Sequence, residues 1–206
     1  MLTRLKQKIQ SLLVTEARIA RRSGLTPNRI TVIGALLAFL SAFVYAKWQA
    51  DHLLLLLATV LLLLSGFCDA LDGVVARLYQ EATVFGGFLD SMLDRYADAV
   101  VYVGIGLGRL CNLYWGLAAA IIGTLLVSYS RARAEAAGIK MESIGLAERA
   151  ERLLILAVAS LICIFWQPTL VMNVAIILLA VLTNLTVLQR SLYVYSRSKK
   201  KMLSES

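Results

Sequence analysis

The chain has 206 residues, 59% of them hydrophobic and only 17% charged, with two Pro and a mean hydropathy of +0.74. A water-soluble domain of this length needs far more polar surface, so the composition excludes that class and places the chain in lipid. The net charge of +8 would point to nucleic acid in a soluble protein; in a membrane protein it is first a matter of topology, and no nucleic-acid partner is expected.

In chain order, residues 2–22 set Leu2, Leu5, Ile9, Leu12, Leu13, Ile19 and Ala20 among basic and polar positions at near-helical spacing. This predicts an amphipathic interfacial helix along the cytoplasmic headgroup layer, its cations toward anionic lipid. Thr26, Pro27 and Asn28 then turn the chain upright. Six mostly apolar stretches, each near the ~20 residues a spanning helix needs, follow at 29–48, 52–77, 84–108, 113–137, 147–166 and 169–190. Connectors are short and no Gly/Ser-rich or Pro-rich linker divides them. Residues 1–206 therefore read as one all-α integral membrane domain: the interfacial helix, a six-helix bundle over 29–190 and a basic cytoplasmic tail over 191–206. Cys68, Cys111 and Cys163 lie in apolar sequence without metal-ligand spacing and read as packing residues.

Basic residues set the orientation. They gather before the first span, at the turn between spans two and three, around the turn between four and five, and after span six; only Lys47 and Arg109 fall on the other side. The positive-inside rule then puts both termini in the cytoplasm of a multi-pass plasma-membrane protein.

Acids inside a span cost several kcal/mol each and seldom occur without a role. Asp69 and Asp72 lie near the cytoplasmic end of span two, and Asp90, Asp94 and Asp98 open span three. Asp69 and Asp72 are i and i+3, and Asp90 and Asp94 are i and i+4, so each pair shares one helix face. Gly73 and Ala76 share the face of the first pair and Gly86 that of the second, which leaves room for a bulky polar ligand near the backbone. Four carboxylates this close cannot all stay ionised in low dielectric without cations. Oxygen-only donors suit Mg²⁺ or Mn²⁺, and facing pairs suit two ions about 3.5 to 4 Å apart. The lone His52 is at the opposite surface, so zinc is not indicated. A plainer reading, a structural network with Arg77 and Arg95, accounts for two of these acids and not five.

Residues 69–94, DALDGVVARLYQEATVFGGFLDSMLD, resemble the signature D(x)2DG(x)2AR(x)8G(x)3D(x)3D of the CDP-alcohol phosphatidyltransferases, matching at Asp69, Asp72, Gly73, Ala76, Arg77, Gly86, Asp90 and Asp94. The resemblance implies an enzyme of phospholipid biosynthesis in which an alcohol attacks the lipid-side phosphate of a CDP-activated lipid and CMP leaves. It implies Asp69, Asp72 and Asp90 as metal ligands and Asp94 as general base and further ligand. Gly73, Ala76, Arg77 and Gly86 are expected around the cytidine diphosphate. Asn28 either hydrogen-bonds the nucleotide or caps the first span. A homodimer is likewise implied, and Gly104, Gly106 and Gly108 would permit close helix contact.

Span four ends SYSRARAEAAGIK and span five begins IGLAERAERLLIL, so basic residues crowd the same cytoplasmic end as the acids. Positive-inside topology and pairing with Glu135, Glu148 and Glu151 explain part of this cluster, but Arg131 sits well inside its span. Guanidinium groups hold phosphate dianions, which favours a phosphorylated acceptor. The segments SYSRARAE and GLAERAERL also resemble the inositol-phosphate branch of the family, whose members make phosphatidylinositol phosphate in some bacteria and archaetidylinositol phosphate in archaea. That branch implies Arg131, Arg152 and Arg190 as contacts to the phosphate of inositol phosphate, with Arg133 a fourth. CDP-diacylglycerol and CDP-archaeol both remain open as donor. Glycerol 3-phosphate is the competing acceptor. A divalent-cation carrier would instead place acids at mid-membrane and break helices at matching points of two halves, and neither pattern is present.

Overall fold

The computed structural model describes residues 13–141 and 144–205, with side chains through residue 198. The described residues are helical, without strands, and gather into two compact units, Met1–Gly108 and Arg109–Ser206. In the first unit the order is α1 (Val14–Arg22), α2 (Pro27–Lys47), a 3-10 turn (Trp48–Ala50), α3 (Leu53–Leu78) and α4 (Val84–Leu107). The second holds α5 (Tyr114–Ala136), α6 (Arg149–Phe165) and α7 (Pro168–Glu205).

Helix α1 covers the second half of the expected interfacial helix; residues 2–12 lie outside the described residues. It ends where Gly24, at φ +78°, bonds Arg21 O while Leu25 N bonds Ala20 O, the paired bonds of a Schellman stop. Its small buried face, Ala17 and Ala20, packs with Leu13 on Ile30 of α2 and on Leu71, Val74 and Val75 of α3. Of the expected stripe, Leu13 and Ala20 are taken up by this packing, because alanines allow close approach, and Ile19, 59% exposed, is left on the outer side.

Pro27 starts α2 at its first position, where a missing N–H costs nothing. The helix then runs as the spine of the unit, since α3 and α4 both pack along it rather than along each other. Small residues make this possible. A Cβ on Gly34 would stand 2.9 Å from Cys68 Cβ of α3, and one on Gly104 of α4, or on Gly108 just after it, would run into the backbone of Ala42 or Tyr45. Those two glycines therefore serve contact within the chain rather than with a second copy. Ser41 donates to Ala58 O at 2.7 Å, and Trp48 Nε1 and Gln49 Nε2 both donate to Gly108 O, at 2.7 and 3.0 Å.

In the second unit α7 packs against α5 and α6. Gly123 lets α5 approach Thr183 and Asn184 of α7, and Asn184 donates to Ala119 O at 3.2 Å. Asn112 and Asn173 exchange hydrogen bonds of 3.1 and 2.7 Å. Burial pushes the Cys111 thiol above its ordinary range, as befits a neutral packing residue. Helix α7 does not stop near residue 190. With no Gly or second Pro after Pro168, the stretch read as a basic tail continues it to Glu205.

Each of the six expected spans is a helix. Among the described residues, Pro27–Ala50, Leu53–Leu78, Tyr114–Ala136 and Pro168–Ser198 are long and apolar enough to cross a membrane. The other two differ for visible reasons: α4 carries Asp90, Asp94, Arg95 and Asp98, and α6 has 17 residues, roughly 25 Å of rise.

Candidate active site

The acids come from two helices that are held apart by a third. Asp69 and Asp72 sit in the last turns of α3, Asp90 and Asp94 in the first half of α4, and α2 packs against both helices. Across that arrangement Asp69, Asp90 and Asp94, each half-buried, bring one carboxylate oxygen apiece within 4.8 Å of one another. Like charges at this separation repel strongly in a partly dry setting, and hard oxygen donors from two helices fit a magnesium- or manganese-sized ion. The donor set therefore suits the divalent cation that the sequence called for.

Asp72 stands slightly apart. It is 6% exposed and within electrostatic reach of Asp69 and Asp90, and its Oδ2 accepts a 2.6 Å hydrogen bond from Thr31 Oγ1 of α2. Three of the four expected ligands thus meet directly, and the fourth has one oxygen on a neighbouring helix. Asp98 is buried one turn deeper in α4 and outside the trio.

The expected nucleotide-side residues flank this centre. The Arg77 guanidinium lies along α3 over Gly73, where an added Cβ would be 3.3 Å from its Nη1, and Ala76 is half-buried on the same helix. A Cβ on Gly86 would be 2.9 Å from Asn28 Oδ1 and 3.0 Å from Thr83 Oγ1, so glycine is what lets the start of α2 lie on the start of α4. Thr83 caps α4 by accepting from Gly86 N at 2.9 Å. Asn28 is not a cap: Thr26 holds that position in α2, and no side chain bonds the helix start. Arg95, a neutralising partner in the plainer reading, turns back and donates to Ser91 O of its own helix. Arg21 pairs with Glu81 at 2.5 Å and lies 6.0 Å from the centre of the Tyr79 ring, tying α1 to the turn between α3 and α4.

The arginines of the second unit are held differently. Arg190 is 2% exposed and donates from Nε to Ile144 O at 2.8 Å and from Nη1 to Val127 O. Arg152, 3% exposed, donates to Ala147 O at 3.0 Å. Thr186 Oγ1 accepts from Leu146 N and Ala147 N at 3.1 and 3.2 Å, binding the same loop to α7. Gly145 passes over this threonine at φ +137°, and a Cβ there would be 2.5 Å from Thr186 Cγ2. Arg131 is exposed and pairs with Glu135 at 2.9 Å. The charges of Arg131, Arg152, Glu135 and Glu148 all lie within electrostatic reach of Arg190. Arg133 is exposed on another face of α5, about 200° around the helix from Arg131.

Sequence reading missed the Thr31 contact to Asp72 and the tie of Thr186 to the loop. The first carried a faint signal, a Thr four residues after a helix-starting Pro; the second is a contact across 40 residues and carried none.

These features define a helical membrane protein with an all-carboxylate centre for divalent cations. The sequence model of the CDP-alcohol phosphatidyltransferase family matches residues 24–187, and the chain belongs to that family of transferases. It is 44% identical over 181 residues to the archaetidylinositol phosphate synthase of Methanothermobacter thermautotrophicus, covering 88% of this chain and 89% of that one. Its fold is similar to crystal structures of the Mycobacterium tuberculosis phosphatidylinositol phosphate synthase. The complex with manganese and citrate superposes with a TM-score of 0.76 at 28% identity, over 89% of this chain and 88% of that one. The complex with CDP-DAG does so with 0.76 at 27% identity, over 90% and 94%.

Proposed function

We propose that this transferase joins a CDP-activated lipid to inositol phosphate, forming a lipid inositol phosphate and releasing CMP, and that residues 1–206 act as one domain. The observation that carries the reading is the convergence of Asp69, Asp90 and Asp94 from two helices within 4.8 Å. Supporting it are relatives whose names specify inositol phosphate products, and a similar structure that holds manganese. Since the 44% identical relative is named for an archaetidyl product, CDP-archaeol is the first donor to try, followed by CDP-diacylglycerol.

Asp69, Asp90 and Asp94, with the remaining oxygen of Asp72, would hold one or two Mg²⁺ or Mn²⁺ ions. When bound, such ions neutralise the diphosphate and the charge that develops on the leaving phosphate. The protein does the rest. Gly73, Ala76 and Gly86 give the cytidine diphosphate close access to backbone, Arg77 pairs with its phosphate, and Asn28 offers an amide to the nucleotide. The acceptor oxygen attacks the lipid-side phosphorus, the bond to the CMP oxygen breaks, and the hydroxyl proton passes to a carboxylate oxygen of Asp94. Arg131, Arg152 and Arg190 hold the acceptor's phosphate as its dianion, with Arg133 adding longer-range charge from the far face of α5.

The same reading has six helices crossing the membrane, both termini and the acids on the cytoplasmic side, α1 at the interface, and a homodimer as the working form. Purified protein incubated with each CDP-lipid, Mg²⁺ and either inositol phosphate or glycerol 3-phosphate tests the acceptor by CMP release. Turnover with inositol phosphate supports the reading; turnover with glycerol 3-phosphate alone overturns it.

A further inference from the structure

Thr31 is absent from the eight-residue signature, yet it is a side chain by which α2 reaches the acids. It is 8% exposed, and its hydroxyl has one proton and two acceptors near it, Asp72 Oδ2 at 2.6 Å and Pro27 O at 3.1 Å. The shorter contact has the length of a charge-assisted O–H···O⁻ bond, so the proton goes to the carboxylate. Pro27 O, one turn back, favours a threonine rotamer that keeps the hydroxyl aimed this way. The bond ties up one oxygen of Asp72, whose carboxyl group lies within electrostatic reach of Asp69 and Asp90. Because α2 also carries Asn28 against Gly86 of α4, one helix start registers both acid-bearing helices.

We propose that Thr31 is a positioning residue for the metal centre: by holding Oδ2 it fixes Asp72 as a one-oxygen ligand, and its loss weakens divalent-ion binding more than the chemical step. The inference rests on the carboxylate centre of the proposed function. Outer hydrogen bonds of this kind typically change metal affinity by about 10–100-fold when removed.

The test titrates Mn²⁺ into detergent-solubilised full-length protein and follows unbound Mn²⁺ by electron paramagnetic resonance, beside the Mn²⁺ dependence of CMP release. Thr31→Val, which keeps the shape and removes the hydroxyl, is expected to weaken binding by about 10-fold or more, with turnover at saturating Mn²⁺ little changed. Thr31→Ser restores affinity. In an Asp72→Asn background, Thr31→Val adds no further loss, which also controls for a variant that packs poorly. Thr31→Val with wild-type affinity, Thr31→Ser as weak as Val, or an additive loss in the Asn background each overturns the role of Thr31 alone. A wild-type protein that binds no Mn²⁺ overturns the metal centre itself.

Discussion

The carboxylates of the first unit and the arginines of the second are both clusters of like charge, but they are anchored in different ways. Asp69, Asp90 and Asp94 are set by helix periodicity and helix packing, so that their oxygens converge. Arg152 and Arg190 are set by bonds from the charged group itself, to carbonyls of Ala147, Ile144 and Val127, and they hold the loop before α6 in place. In the proposed function the acids carry the chemistry and lose repulsion when a cation binds, whereas the buried arginines hold the fold along with any ligand. Removing one member of each cluster should separate these two cases.

The largest effect is expected at Asp94. Asp94→Asn should lower CMP release by about 10²–10⁴-fold, the usual contribution of a general base, while the melting temperature without metal stays level or rises as repulsion is relieved. Retained activity would remove the proposed base. Next comes Arg190→Gln, which takes charged donors from two buried carbonyls; at about 1.5–3 kcal/mol per bond to a charged group, unfolding should move measurably and activity fall with it. Lost activity at unchanged stability would make Arg190 a ligand contact only. Gly145→Ala should cost about 1–3 kcal/mol in a denaturation experiment, since alanine is strained at φ +137° and its Cβ meets Thr186. The smallest change in stability is expected for Arg131→Ala, about 1 kcal/mol or less for an exposed pair with Glu135, while KM for inositol phosphate rises. An unchanged KM would take Arg131 out of the acceptor site.

The same contrast explains what the sequence could reveal. Asp69, Asp72, Asp90 and Asp94 are legible because helix geometry turns spacing along the chain into a shared face, and the six helices follow because apolar length is a local property. The bonds from Thr31 to Asp72 and from Arg190 to Ile144 span 41 and 46 residues, and no local pattern encodes them. Helix α2 as spine was hidden for a similar reason: Gly34, Gly104 and Gly108 look like isolated small residues until Cys68, Ala42 and Tyr45 are found against them. The continuation of α7 through the basic stretch to Glu205 is not marked in the pattern, because lysines signal charge and also continue a helix well.

The account stands or falls with the cation centre, and anomalous X-ray scattering from crystals grown with Mn²⁺ addresses it most directly. The expected result is an anomalous peak between α3 and α4, at coordination distance from oxygens of Asp69, Asp90 and Asp94. Well-ordered carboxylates with no peak among them, or manganese bound only elsewhere, would contradict it.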